Sequence, residues 1–284
     1  MKKHKTTFIM TLFFFIGLLT LLYPTLSNYY NEKMQVKTIY NYENILNDTN
    51  KIDFAKLKSE ANEYNVKLAN LKEPLLSYES LDNYQELLNI NNDGMIGYIT
   101  IDKIKIELPI YHGTSSEVLN SSVGHLEGTS LPIGGSNTHS VLSAHRGLPS
   151  SKLFTDLDKL EIGDTFKITV LDETLTYQVD KITIVKPSER SELKIEEDGD
   201  YVTLLTCTPY GINTHRLLVR GTRIEGETKK SYITTEAFKV NKLIVIPLVS
   251  LPIILLLMII LLIKPVKKVN INKYEEFIYP NGKS

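Results

Sequence analysis

The sequence predicts a mainly β domain, either a sandwich or a barrel, set between two apolar segments that are long enough to cross a membrane. From Met95 to Ile224, short β-prone runs alternate with turn residues, and many short strands at this spacing are typical of sandwiches and barrels. The polar region upstream of Met95 instead has a helical period of apolar residues. The 284 residues are enough for one sizeable domain with such additions.

The two apolar segments, residues 6–26 and 243–263, predict transmembrane helices because each has about the 20 residues that span a bilayer. Lysines flank the outer end of both runs, at positions 2, 3 and 5 and at positions 264, 267 and 268. The positive-inside rule therefore predicts two cytoplasmic termini and an extracellular middle. A cleaved signal peptide is the alternative for the first run, although no small-residue cleavage site follows it. A buried core helix is the alternative for the second.

Composition excludes several classes of function. The net charge is −1 and no basic stripe carries interleaved aromatics, so nothing indicates nucleic acid as a partner. A single cysteine excludes an intrachain disulfide and a cysteine-based zinc cluster. The six histidines lack the spacing of metal ligands, and no glycine-rich phosphate loop is present. We therefore predict neither a metal nor a cofactor.

The only cysteine, Cys207, directly follows the predicted strand Tyr201–Thr206. Pro209 and Gly211 then predict a turn, and a second strand begins near Arg216. Such a strand–loop–strand unit can fold the arginine back beside the thiol. A thiol with a fixed guanidinium suits nucleophilic acyl transfer, in which the cation stabilises an oxyanion. The alternative is that Cys207 is a small buried apolar residue, as most free cysteines are.

Among the histidines, His145 is the best candidate for moving protons at the thiol. Histidine titrates near neutral pH, and His145 ends the predicted strand Ser140–Ala144, just as Cys207 ends its own strand. His215 adjoins Arg216, and neighbours on a strand face opposite ways, so both cannot face the thiol. The remaining histidines, including the cytoplasmic His4, are expected to be structural or solvated: His112, His125 and His139 lie in turns or loops.

Five segments in order resemble the sortases, specifically the class C, pilus-assembling sortases of Gram-positive bacteria. They are Leu108–Thr114, Gly124–Ser130, His145–Pro149, Leu204–Cys207 with the L-x-T-C signature, and Thr208–Arg216. The resemblance spans about residues 94–224 and implies an eight-stranded β-barrel with short helices. It also implies that Cys207 is the nucleophile, His145 the general acid/base and Arg216 the stabiliser of the oxyanion or substrate.

The resemblance further implies a cysteine transpeptidase that cleaves an L-P-x-T-G sorting signal on a pilin. A thioester would form on Cys207, and a lysine amine of the next pilin would resolve it as an isopeptide bond, without ATP or a cofactor. Two alternatives stay open. The acceptor is a cell-wall cross-bridge peptide, or the domain is a non-catalytic surface scaffold.

Class C sortases commonly carry a lid with an Asp-Pro-aromatic motif over the site, and the best match here is Glu73, Pro74 and Leu75. Glu73 keeps the charge and is within reach of Arg216, whereas Leu75 gives apolar cover without a ring. We therefore expect a looser lid, and expect Glu73→Ala to speed modification of Cys207 by a thiol reagent. The alternative is that these residues form an ordinary linker. Pro74 also predicts that Leu71–Ser77 is extended or irregular.

Together these observations predict seven consecutive regions. They are a cytoplasmic N-terminus (1–5), a transmembrane anchor (6–26), a helical spacer and lid region (27–93), the catalytic β-barrel (94–225), a linker (226–242), a second transmembrane helix (243–263) and a cytoplasmic tail (264–284).

Overall fold

The computed structural model describes residues 2–47, 52–225 and 254. The predicted linker over 226–242, the second transmembrane helix over 243–263 and the tail over 264–284 lie outside the described residues, apart from that one position. The following account therefore concerns the N-terminal helix, the spacer and the β domain.

Eight strands close into a barrel in the order β1-β2-β3-β4-β7-β8-β6-β5. The strands are β1 Met95–Ile101, β2 Ile106–His112, β3 Val123–His125, β4 Thr138–Ser143, β5 Thr165–Val170, β6 Glu173–Val185, β7 Asp200–Thr208 and β8 His215–Ile224. The eight-stranded barrel is therefore confirmed, and the sandwich is excluded. Closure pairs β1 with β5, so the sheet has no free edge.

The barrel interior is apolar because alternate residues of each strand point inward. On β7, Val202 and Leu204 are buried in the main core, which also holds Phe166 and Tyr177. Leu205, on the opposite face of the strand, instead packs outside the barrel in a smaller cluster with Val141 and Leu218. This external cluster therefore covers the outer face of β4, β7 and β8.

Two strand pairings bring the ends of three strands together. β4 runs parallel to β7, with Ser143 aligned with Leu205, and β7 runs antiparallel to β8, with Thr208 aligned with His215. The C-terminal ends of β4 and β7 and the N-terminal end of β8 therefore meet at one end of the barrel. We call it the site end.

α1 extends without interruption over Lys2–Asn47, so the predicted boundary at residue 26 does not end the helix. Its apolar part is long enough to cross a membrane and is not buried, so it fits a membrane anchor. The polar continuation packs along the barrel wall. Ile39 contacts Met95 and Tyr98, and the Tyr42 hydroxyl donates to the Ile96 carbonyl. The apolar run and the barrel are thus joined by one continuous helix rather than by a separate spacer helix.

Further helices follow α1. α2 is Phe54–Ala69, α3 is Pro74–Ser77 and α4 is Ser116–Leu119. Asp53 caps α2 by accepting from the Lys56 N–H. A 3₁₀ turn, Leu157–Lys159, precedes β5.

The expectation that Leu71–Ser77 is extended was wrong for its second half. α3 begins at Pro74, where proline is favourable because the first N–H groups of a helix have no partner within it. A 3₁₀ turn, Tyr78–Ser80, follows directly. The proline therefore starts a helical turn here instead of preventing one.

Candidate active site

Cys207 and Arg216 are directly opposite each other on β7 and β8. Side chains of directly opposed residues share a face of the sheet, with Cβ atoms about 5 Å apart. The connecting loop is a compact turn in which the N–H groups of Ile212 and Asn213 both donate to the Pro209 carbonyl. The predicted return of the arginine to the thiol is therefore what the strand register produces.

The thiol faces the outside of the barrel. Cys207 has the same strand parity as Leu205, which packs in the external cluster, whereas Leu204 and Thr206, which have the other parity, are buried. Cys207 itself is only half-buried. It therefore does not belong to the barrel core, which was the alternative for a lone cysteine.

His145 follows β4 at the same end of the barrel. Pairing with β7 continues one residue past β4, because the Ala144 N–H donates to the Leu205 carbonyl (3.1 Å) and the Thr206 hydroxyl donates to the Ala144 carbonyl (2.8 Å). This continuation brings the chain that carries His145 to the same end of the barrel as Cys207.

The Arg216 guanidinium is held by carbonyl oxygens. Nη1 donates to the carbonyls of Asn213 (3.3 Å) and His215 (3.1 Å). Within the described residues no carboxylate pairs with it, and no hydrogen bond joins the His145 imidazole to Cys207 or Arg216. Since guanidinium has five donors, most remain available to an oxygen that enters the site.

A groove of about 400 Å³ lies on this outer face. Its floor consists of side chains from four neighbouring strands: Ser143, Val185, Leu205, Leu218 and Arg216. One wall is the loop between β6 and β7, which contributes Pro187, Glu189, Arg190 and Leu193. An apolar floor with a cation at one end suits an extended peptide whose carbonyl must be polarised.

The predicted lid residues lie beside this groove, but they do not all contact it. Leu75 lines the groove and packs on the cluster that contains Leu205. Glu73 precedes α3, and its backbone carbonyl accepts from the N–H groups of Leu76 and Ser77. In the described part of the chain its carboxylate forms no ion pair with Arg216. Pro74 is the first residue of the helical turn that carries Leu75.

Tyr78 is a groove residue that the sequence interpretation missed. It is three residues after Leu75, hence on the same side of the helical turn, and its ring also lines the groove. Burial, with the nearby Glu127 carboxylate, raises the pKa of its hydroxyl. Leu75 and Tyr78 share a side only if the chain is helical there. An extended stretch would point residues three apart to opposite faces, so their spacing did not predict a shared groove.

The lid turn fits closely against Gly128. A Cβ atom at Gly128 would come within 2.9 Å of both the Leu75 Cα and the Tyr78 ring. Gly128 also has φ = +82°, a conformation that glycine adopts without steric cost. This glycine therefore lets α3 approach the barrel surface and cover the groove.

His112, His125 and His139 do not line the groove. His125 is fully buried, accepts from the Tyr84 hydroxyl at Nδ1 (2.8 Å) and donates from Nε2 to the Ser130 carbonyl (2.8 Å), and burial lowers its pKa to about 4. Burial also lowers the pKa of His112 and of His139. Among the described residues no cluster of histidine, cysteine and carboxylate side chains could hold a metal ion.

Comparisons with known proteins match this fold. The model of the Sortase domain family matches residues 99–224. The crystal structure of sortase C1 from Streptococcus agalactiae is 48% identical, covers 67% of this chain and 100% of its own, and superimposes with a TM-score of 0.61. Sortase C from Streptococcus pneumoniae is 42% identical, with coverage of 67% and 97% and a TM-score of 0.57.

A curated relative is more distant. Sortase D from Bacillus subtilis is 30% identical over 131 residues, which are 45% of this chain and 63% of that protein. This match therefore covers less than two thirds of the relative's length.

Proposed function

Because the chain belongs to the sortase family of cysteine transpeptidases, we propose that it polymerises pilins by cleaving an L-P-x-T-G-like sorting signal and joining it to a lysine. Cys207 is the nucleophile, His145 the general acid/base and Arg216 the stabiliser of the oxyanion or substrate. The observation that carries this proposal is the register that sets Cys207 directly across from Arg216, on the outer face where β4 ends.

In the first step the Cys207 thiolate attacks the carbonyl carbon of the Thr–Gly bond. The carbonyl π electrons move to oxygen, and a donor from Arg216 stabilises the resulting oxyanion. The tetrahedral intermediate then collapses, the C–N bond breaks, and His145 gives its proton to the departing glycine amine. The products are a thioester on Cys207 and the released C-terminal peptide.

In the second step a neutral lysine amine of the next pilin attacks the thioester carbonyl. The C–S bond breaks, the thiolate leaves, and His145 takes the excess proton from the amine. The new bond is an isopeptide, and the enzyme returns to its starting state. The energy of the cleaved peptide bond is conserved in the thioester, so no nucleotide is consumed.

The groove supports a peptide substrate. Leu205, Leu218 and Val185 give an apolar floor for side chains such as the leucine of the signal, and Arg216 lies along the same floor. α3 and the following turn cover part of it, so the lid must yield before a peptide enters. This cover supports the role proposed for Leu75, and the position of Tyr78 beside the same groove supports a similar role for its ring.

The pilin acceptor is favoured over cell-wall peptide by the relatives with class C features. The pneumococcal structure is described as informative about pilin substrate specificity. The lid turn is a second feature of this kind, because it lies on the groove as the class C resemblance implies. Anchoring to cell-wall cross-bridges remains the second candidate because its acyl-enzyme chemistry is identical.

The chemistry is tested by incubating the full chain with a sorting-signal peptide and measuring the intact mass. We expect the chain to gain the mass of the acyl fragment at Cys207, and expect no gain for Cys207→Ala. Arg216→Lys is the informative second variant, because it keeps the charge and loses the rigid fork of donors. Absence of an adduct on the wild-type protein under all conditions would favour the scaffold interpretation.

The acceptor is tested separately by supplying two amines to the acylated enzyme. A pilin domain with its acceptor lysine and a cell-wall cross-bridge peptide compete at equal concentration. The amounts of the two products are measured by mass spectrometry. We expect the pilin isopeptide to dominate. A majority of cross-bridge product would reassign the enzyme to wall anchoring while leaving the catalytic residues unchanged.

A further inference from the structure

The loop between β7 and β8, residues 209–214, exposes two large apolar side chains. Tyr210 is 59% exposed and Ile212 is 68% exposed. The turn that carries them is closed by two hydrogen bonds to the Pro209 carbonyl, so both side chains are held outward. Pro149, on the adjacent loop after His145, is exposed as well. Removing such apolar groups from water is favourable, so this tip of the site end suits an apolar environment.

This loop is fixed against the loop that follows His145. The Tyr210 ring packs on Gly147, where an added Cβ would lie 3.0 Å from the ring. The guanidinium of Arg146 lies 5.9 Å from the centre of the same ring. The two loops therefore form one surface at the site end of the barrel.

α1 contacts the same end of the barrel. Asn31 donates from Nδ2 to the Ser150 carbonyl (2.7 Å), and Gln35 donates to the Ser121 carbonyl (2.6 Å). Further along the helix, Tyr42 accepts from the Leu171 N–H in the turn between β5 and β6. α1 therefore leaves the apolar run, meets the site end first, and reaches the opposite end of the barrel later.

The distance from the membrane follows from helix geometry. The apolar run ends at Leu26, so Asn31 is five residues beyond it, a rise of about 7.5 Å along the helix. The headgroup layer adds roughly 5 to 7 Å on each side of the hydrocarbon core. Tyr23 and Tyr30 are exposed on α1 at this level, where tyrosine is enriched in membrane proteins. The loop held by Asn31 therefore begins where the headgroups end.

We propose that the tip of the β7–β8 loop, with Tyr210 and Ile212, inserts into the headgroup layer of the membrane that α1 crosses. The membrane is the occupant because the anchor leads directly to this surface, and because an isoleucine and a tyrosine suit the boundary between hydrocarbon and water. The site end of the barrel then faces the lipid, and the groove opens close to it. This proposal does not depend on the reaction at Cys207.

The experiment measures the depth of single labels in the full chain reconstituted into lipid bilayers. Cys207→Ala removes the only natural thiol, and single cysteines then carry an environment-sensitive fluorophore at Ile212, Glu197 or Leu19. Glu197 is the matched control, because it is exposed and lies before β7, at the other end of that strand. Leu19, within the apolar run, reports that α1 is in the bilayer. The bilayers are prepared with and without lipids that carry a quencher near the headgroup, and the loss of fluorescence is measured for each label.

We expect several-fold greater quenching at Ile212 than at Glu197, with Leu19 also quenched. Replacing both Tyr210 and Ile212 by serine should reduce the quenching of a label at Thr214, which separates insertion by these two side chains from mere proximity. Equal quenching at Ile212 and Glu197 would overturn the proposal. So would a response at Ile212 to a sorting-signal peptide but not to lipid, which would make the loop part of the substrate site.

Discussion

Arg146 ties the loop after His145 to the strand that carries Cys207. Its Nη1 donates to the Thr208 hydroxyl (3.4 Å), and its Nη2 forms an ion pair with Asp158. The side chain is only 9% exposed, and it also lies over the Tyr210 ring. Arg146 thus contacts both segments that must meet for the proposed chemistry, and we infer that it is a positioning residue.

We predict that Arg146→Lys lowers kcat of the transpeptidation by about 10- to 100-fold, since small misplacements of catalytic groups have effects of this size. KM should change little, because Arg146 does not line the groove. The measurement is steady-state kinetics with a sorting-signal peptide and an amine acceptor. Asp158→Asn is the control that removes the charge but keeps the shape of the partner. An unchanged kcat in the lysine variant would reduce Arg146 to a structural role.

His125 makes stability depend on pH. It is neutral in the folded protein because burial lowers its pKa to about 4, whereas in the unfolded chain its pKa is near 6.5. The unfolded state therefore binds the proton more readily. The stability is fully present above pH 6.5 and is lost as the pH falls toward 4.

We predict that the free energy of unfolding falls by about 2 kcal/mol from His125 alone between pH 7 and pH 5. The lowered pKa values of His112 and His139 act in the same direction. Denaturant titrations at several pH values measure the slope. In His125→Asn the slope should become smaller, whereas an identical slope in both proteins would contradict the assignment.

At the scale of elements, α3 and the turn after it decide how open the groove is. Leu75 and Tyr78 line the groove, whereas the Glu73 carboxylate forms no ion pair with Arg216 in the described part of the chain. We therefore predict that replacing Leu75 and Tyr78 by alanine accelerates modification of Cys207 by a thiol reagent several-fold. Glu73→Ala is the comparison, because it tests the charged contact expected from the sequence. A larger acceleration in Glu73→Ala would show that the carboxylate, rather than the apolar cover, holds the lid.

Gly128 provides a second way to move the same element. We predict that Gly128→Ala accelerates thiol modification of Cys207, because the new methyl group would meet Leu75 and Tyr78 at 2.9 Å. Gly163→Ala is the matched control. Gly163 also has a positive φ, +96°, but an added Cβ there meets nothing within 4 Å. Both variants should lose about 1 kcal/mol of stability to backbone strain, and only the first should open the groove.

The sequence predicted the elements that depend on local patterns. Cys207 and Arg216 were expected to meet because Pro209 and Gly211 mark a tight return between two β-prone runs. β3 was not predicted, because Val123–His125 has too few residues to show a strand pattern. It becomes a strand by pairing with β2 and β4. Tyr78 was missed because its position depends on the helical turn begun by Pro74. The continuity of α1 was also hidden, since a polar helix beyond an anchor resembles a separate spacer.

At the scale of the whole molecule, the site depends on strands that are far apart in the chain. Ala144 and Thr206, whose bond continues the β4–β7 pairing, are separated by 62 residues. Such non-local pairings form late and slowly, because the intervening chain must first be ordered. The three predicted catalytic side chains therefore cannot be recognised as a unit from sequence spacing alone. Their residue types and strand-end positions, together with the family resemblance, were what made them candidates.

The parallel pairing of β4 with β7 also sets when the protein can first react during its biosynthesis. In a chain still emerging from the ribosome, the imidazole of His145 is synthesised well before the thiol of Cys207, and the guanidinium of Arg216 is synthesised last. We expect a nascent polypeptide to stay chemically silent until nearly the whole barrel has been synthesised and closed. Under the proposed function, activity would then appear in a single step, once the last of the three side chains has joined the site end.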